Sequence, residues 1–191
     1  MDGNNNIIRI LSFDPGLSIS GWAMLDFHRS TGELHVNKIG LLTPNKIVSR
    51  VNMKDEVEKY GKRLMALVTL RGMVSEVYED CNPDFVVAED NFFHDKYPTA
   101  YAALLHWTMT VDLLIKDKYC KPVYKIPPKL VKHYISGSGD AKKLNVQQAI
   151  LDNTKIKFKN NQMSCNLIEH ISDAIAIGWA FAHEHLPILV K

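Results

Sequence analysis

The sequence predicts an α/β protein: one mixed sheet with helices on both faces. Two observations carry this. Three β-branched, apolar runs separated by tight turns open the chain, and beyond residue 53 segments of helical periodicity alternate with short apolar runs. A meander followed by such an alternation closes only as a sheet covered on both sides. In chain order, strands are expected near 7–13, 18–27 and 33–41, and Gly16 to Ser18 and Ser30-Thr31-Gly32 are connections short enough for antiparallel neighbours. Residues 53–79 read as a helix through Val57, Leu64, Leu67, Val68 and Val74, stopped by Asn82-Pro83. A fourth strand follows at 85–89, a helix at about 97–118 and a fifth strand at 122–126. Pro127-Pro128 opens a helix to about 135, which Ser136-Gly137-Ser138-Gly139 ends. Helices at about 141–153 and 169–185 complete the chain, and the polar segments 43–52 and 154–168 are expected to be mobile connections.

Composition limits the function classes. At 191 residues, 46% hydrophobic and 23% charged, without repeat, low-complexity tract or long linker, the chain fits one domain, 1–191, with a substantial core. Its three cysteines, Cys81, Cys120 and Cys165, lack metal-site spacing and are too few for a disulfide framework, which points to a reducing compartment. The polar start, Met1 to Asn6, has no basic n-region, and every apolar segment is shorter than a membrane span. The expectation is a soluble cytoplasmic protein with no membrane partner. A net charge of +2 implies no partner by itself, but from Lys121 to Lys159 the lysines face only Asp140 and Asp152. That half is either a phosphate-binding footprint or a solvated lysine-rich surface.

The chemistry lies at the ends of the apolar runs. Ile7-Ile8-Arg9-Ile10-Leu11-Ser12-Phe13 ends in Asp14 before a Pro15-Gly16 turn, and Phe85-Val86-Val87-Ala88 runs into Glu89. The apolar stretch from Ile171 to Ala182 carries Asp173 near its start, with His170 three residues earlier. Taken singly, each acid is an ordinary strand-end or helix-cap residue. Together they are carboxylates on rigid supports, and that combination suits hard divalent cations such as Mg²⁺ acting on phosphate esters.

These residues carry a family resemblance. Ile10-Leu11-Ser12-Phe13-Asp14-Pro15-Gly16, with Ser20-Gly21-Trp22-Ala23 after it, is similar to the opening of the RuvC family of Holliday junction resolvases, in the RNase H-like superfamily. Pro83-Asp84-Phe85-Val86-Val87-Ala88-Glu89 with Phe92 resembles that family's second acidic motif. Lys121-Pro122-Val123-Tyr124, Pro128, Val131-Lys132 and Gly137 to Lys143, ending in Val146-Gln147, resemble its basic segment. His170-Ile171-Ser172-Asp173-Ala174-Ile175-Ala176 resembles its closing motif in the version with histidine first. Order and spacing hold from about residue 7 to 182. The second strand and the helix at 97–118 are only loosely similar, and Lys142 stands where acidic residues are common.

The resemblance implies an RNase H-like five-stranded sheet and a metal-dependent endonuclease that cuts four-way or other branched DNA by paired symmetric nicks. It implies two Mg²⁺ per site, with Mn²⁺ able to substitute, held by Asp14, Glu89, Asp173 and His170. His170 is the ambiguous member: a ligand, a contact to water or phosphate, or a helix cap. Lys143 resembles the basic residue that counters charge on the scissile phosphate, and Lys132 is a second candidate. Both, with Lys129 and Lys142, are alternatively DNA-positioning lysines. Phe92 matches an aromatic that stacks on bases near the junction centre, with Phe93 its alternate. Symmetric cutting needs two sites, which implies a homodimer through the helix at 97–118, where Ala102, Ala103, Leu104, Leu105, Trp107, Met109, Leu113 and Leu114 exceed one core-facing stripe.

Two other readings use the same residues. One is a less selective branched-DNA or flap endonuclease on the same fold, because motifs locate metals without revealing how DNA shape is selected. The other is a non-catalytic RNase H-like or actin-like nucleotide-binding module, in which Asp14-Pro15-Gly16 helps to bind phosphates. Against it, Glu89-Asp90-Asn91-Phe92 stands where a second Gly-rich phosphate loop would follow the fourth strand.

Overall fold

A computed structural model describes residues 6–50, 53–91, 98–159 and 168–190. The strands are β1 (Ile7–Asp14), β2 (Ser20–His28), β3 (Glu33–Leu42), β4 (Phe85–Glu89), β5 (Val123–Ile126) and β6 (Ile156–Phe158). The helices are α1 (Pro44–Arg50), α2 (Lys54–Tyr60), α3 (Lys62–Cys81), α4 (Pro98–Tyr119), α5 (Pro128–Ser136), α6 (Lys143–Asp152), α7 (Glu169–Glu184) and α8 (Leu186–Leu189). One sheet runs in the order β5-β4-β1-β2-β3-β6. β1, β2 and β3 form the antiparallel meander, while β4 lies parallel to β1, β5 to β4 and β6 to β3.

Alternation along the strands divides the core. Ile8 and Ile10 of β1, Ala23 and Leu25 of β2 and Val87 of β4 face one side, under α5, α6 and α7. Leu11 and Phe13 of β1, Met24 of β2 and Val86 and Ala88 of β4 face the other, under α3 and α4. On that second side Trp107 of α4 is fully buried and meets Phe13 edge-on, with ring centroids 5.7 Å apart. α7 is buried along nearly its whole length, from Ile171 to Ala182, and it sits hard against the sheet. A Cβ on Gly178 would stand 2.1 Å from Leu25 Cδ1, and one on Gly21 1.8 Å from the His170 carbonyl oxygen.

The structure corrects three expectations. The sheet has six strands, not five, because part of the 154–168 connection forms β6 on the outer edge of β3. Segment 43–52 is not simply a connection: Pro44, at a first helical position where no N–H is needed, opens α1, and Val48 buries it. The helix expected over 53–79 is two helices, since Gly61 takes φ +83° between α2 and α3, a left-handed value that suits glycine. Among the described residues no helix is long and apolar enough to cross a membrane.

Candidate active site

Strand period places the first two carboxylates. Asp14 is two residues beyond Ser12 and four beyond Ile10, so it shares their α7-facing side; Glu89 is two beyond Val87 and does the same. β1 and β4 are parallel neighbours and both end at these acids, so both carboxylates emerge at the carboxyl edge of the sheet, the edge where open α/β sheets bind ligands. α7 brings His170 and Asp173, three residues apart on one helical face. Gly21 pairs with Asp14 across β1 and β2, and its missing side chain lets the backbone of His170 approach there. His170 Nδ1 consequently lies 2.6 Å from Asp14 Oδ2. A carboxylate carries no proton to give, so Nδ1–H is the donor, and in the neutral ring Nε2 is left as the nitrogen with a lone pair.

Asp14, Glu89, His170 and Asp173 line a single cleft of 280 Å³ together with Lys132 and Lys143. Pro128 and Val131 of α5 and Val146 of α6 supply apolar wall. Burial, then the neighbouring Asp14 and Asp173 carboxylates, push the Glu89 carboxyl up to about 7. Burial and then Asp14 raise Asp173 to about 6. The hydrogen bond to Asp14 raises His170 in turn. Packed acids in a half-closed cleft resist full ionisation, and a divalent cation is the kind of charge that relieves them. Among the described residues, no three His, Cys, Asp or Glu groups stand, as placed, where together they could hold a metal ion. The donor set nevertheless suits a hard cation, with carboxylate oxygens in the majority and one imidazole.

A buried hydroxyl that sequence reasoning passed over fixes the turn beside Asp14. Ser20 Oγ donates to the Gly16 carbonyl oxygen at 2.5 Å and accepts from the Gly16 N–H at 3.1 Å and from the Trp107 indole N–H at 2.8 Å. All its hydrogen-bonding capacity is used, which ties the Asp14-Pro15-Gly16 turn to α4 on the opposite face. Glu169 also went unread. Its carboxylate accepts a hydrogen bond from Lys143 Nζ, which raises the Lys143 ammonium and lowers Glu169.

The remaining expected residues are placed less centrally. Lys129 and Lys142 are exposed on α5 and immediately before α6, outside the lining of the cleft. Phe92, Phe93 and Cys165 lie outside the described residues. The basic half is less free than its composition suggests. Lys121 Nζ donates to the carbonyl oxygens of Pro83 and Asp84, Lys125 pairs with Asp112 at 2.7 Å, and Lys157 approaches Glu33 at 3.9 Å. Those three lysines are engaged away from the cleft, whereas Lys132 and Lys143 line it beside the acids.

Fold and site together define an RNase H-like α/β protein with an acidic cleft at the carboxyl edge of its sheet. Within that class the chain is RuvC-like in sequence and in fold. It is 26% identical over 175 residues to the crossover junction endodeoxyribonuclease RuvC of Chlamydia caviae, covering 91% of this chain and 92% of that protein. Its fold matches Thermus thermophilus RuvC with a TM-score of 0.66 at 20% identity, covering 92% and 93% of the two chains. The same protein in complex with a Holliday junction substrate matches with a TM-score of 0.62 at 18% identity over the same shares. No family model matches the chain.

Proposed function

We propose that this protein is a divalent-metal-dependent endonuclease that resolves four-way DNA junctions by paired, symmetric nicks. The observation that carries this reading is the convergence of Asp14, Glu89, Asp173 and His170, from two strand ends and one helix, on a cleft that Lys132 and Lys143 also line. Resemblance to crossover junction endodeoxyribonucleases along 91% of the chain supports the substrate class. The chain is read as one nuclease domain, 1–191.

Asp14, Glu89 and Asp173, with His170 as a nitrogen donor, would hold the metal: two Mg²⁺ ions, with Mn²⁺ as a substitute. The chemistry such cations would supply when held there is activation of water, polarisation of the phosphoryl group and stabilisation of the leaving 3′ oxygen. The protein's own groups do the rest. Asp14 sets the tautomer and direction of His170 through the Nδ1 hydrogen bond. The ammonium groups of Lys143 and Lys132 meet the non-bridging oxygens of the scissile phosphate and offset the charge that grows on them. Lys129 and Lys142, exposed beside the cleft, contact flanking phosphates and set register without entering the chemistry. Phe92, or Phe93 next to it, stacks on bases exposed at the junction centre.

Two strands must be cut and one chain supplies one cleft, so the working unit is a homodimer. α4 supports this assembly: Trp107, Val111, Leu114 and Ile115 fill the core, while Leu105, Met109 and Leu113, spaced by four, remain exposed. α3, which packs on α4, exposes Leu64 and Val68 as well. Side-by-side incubation of four-way, three-way, flap and duplex DNA in Mg²⁺ and in Mn²⁺, with nicks mapped, tests the proposal. Paired nicks at symmetry-related positions of the four-way junction are expected; equal cutting of flaps or duplex would replace this function with that of a general branched-DNA nuclease.

A further inference from the structure

Lys143 and Glu169 stand 26 residues apart in sequence, yet their side chains pair at the rim of the cleft. Each opens a helix, α6 and α7 respectively. The Glu169 backbone is fixed, because α7 is seated on Gly21 and because Ser172 Oγ donates to the Glu169 carbonyl oxygen at 2.7 Å. The two side chains are not fixed: they remain 67% and 44% exposed, and ion pairs this open to water hold weakly and exchange readily. Lys143 borders the cleft with Asp14, Glu89 and Asp173, whereas Glu169 does not. Its ammonium therefore sits at a boundary, with a carboxylate on the outer side and the proposed phosphate site on the inner side.

We propose that Glu169 occupies Lys143 in place of phosphate: in the DNA-free protein its carboxylate holds the ammonium, and a backbone phosphate entering the cleft takes that ammonium by displacing Glu169. This rests on the reading of the cleft as a phosphodiester site, and it assigns Glu169 a role in setting DNA affinity. A backbone phosphodiester, like the carboxylate, presents two oxygens sharing one negative charge, so it can replace Glu169 at the ammonium one for one in a charge-assisted hydrogen bond.

The exchange has a measurable signature. Binding a phosphate with a lysine releases condensed counterions and steepens the salt dependence of affinity by about one unit per contact. Lys143 already carries its own anion, and the displaced Glu169 stays nearby, so its phosphate contact contributes little net release. Glu169→Gln leaves the ammonium unneutralised and nearly preserves side-chain shape. The experiment measures affinity for a four-way junction, without divalent ions so that strands stay intact, across a salt series for wild type, Glu169→Gln, Lys143→Ala and the double variant. Glu169→Gln is expected to steepen the log–log slope by about one unit and tighten binding several-fold at low salt. In the Lys143→Ala background the same substitution is expected to change neither quantity. An unchanged slope with Lys143 present, or equal steepening with Lys143 absent, overturns the proposal, since the second result would make Glu169 a plain surface charge. Failure of the wild-type protein to bind branched DNA would overturn the function itself, a result distinct from both.

Discussion

At the scale of single residues, the carboxyl groups of the cleft couple stability to pH. Glu89 titrates near 7 in the folded protein against an ordinary 4.5, and Asp173 near 6 against 3.8. Between the lower and upper values the folded state binds more protons than the unfolded state, so metal-free stability falls as pH rises through that window and the penalty is complete above about 7. Glu89→Gln, which stays neutral, is expected to stabilise the chelated protein at pH 8 by about 1–3 kcal/mol and to flatten its decline from pH 5. Denaturant unfolding at the two pH values checks this; an unaltered slope would mean that Glu89 carries no such burden. These acids were legible in the sequence because Glu89 ends a strand and Asp173 sits in the first turns of a helix, elements whose periods fix their direction. Glu169 and Ser20 were not, because their importance comes from Lys143 and Trp107, partners 26 and 87 residues away. Phe92 matched a motif, but motif position alone assigns its role.

At the scale of elements, the seat of α7 on the sheet decides whether His170 and Asp173 meet Asp14. Gly21 is the contact point, because any Cβ there would overlap the His170 carbonyl oxygen at 1.8 Å. Gly21→Ala is expected to cost about 1–3 kcal/mol through forced backbone displacement and to lower cleavage beyond what its stability explains. Gly72→Ala makes a matched stability control: nothing lies within 4 Å of its added methyl group, and it is expected to stabilise α3 by roughly 0.5–1 kcal/mol. Thermal unfolding and single-turnover cleavage of both variants check the pair, and equal behaviour would remove Gly21 from the account. The long elements were legible in the sequence through their apolar periods. β6 was not, since three residues on a sheet edge are too few to show alternation. α1 left a faint signal in Thr43-Pro44, and the break at Gly61 fell inside an otherwise continuous helical pattern.

At the scale of the whole molecule, the architecture separates two tasks. One face of the sheet carries α5, α6 and α7, which with the ends of β1 and β4 build the acidic cleft and its lysines. The other carries α3 and α4, whose exposed Leu64, Val68, Leu105, Met109 and Leu113 form the face proposed above for a second copy of the chain. Ser20 joins the faces by holding the turn after Asp14 to Trp107, so the helix proposed for assembly also steadies the site. The sheet's general layout was legible in the sequence, whereas this linkage was not, since it depends on one buried hydroxyl between layers. If the cluster around Asp14 performs the cutting, Asp14→Asn should abolish it without loosening the grip on DNA. With protein saturating a four-way junction in Mg²⁺, wild type should yield paired symmetric nicks. Asp14→Asn should hold the junction as tightly or more tightly, because a negative charge facing phosphate is gone, and leave its strands intact. Cutting by Asp14→Asn at the wild-type rate would contradict the account.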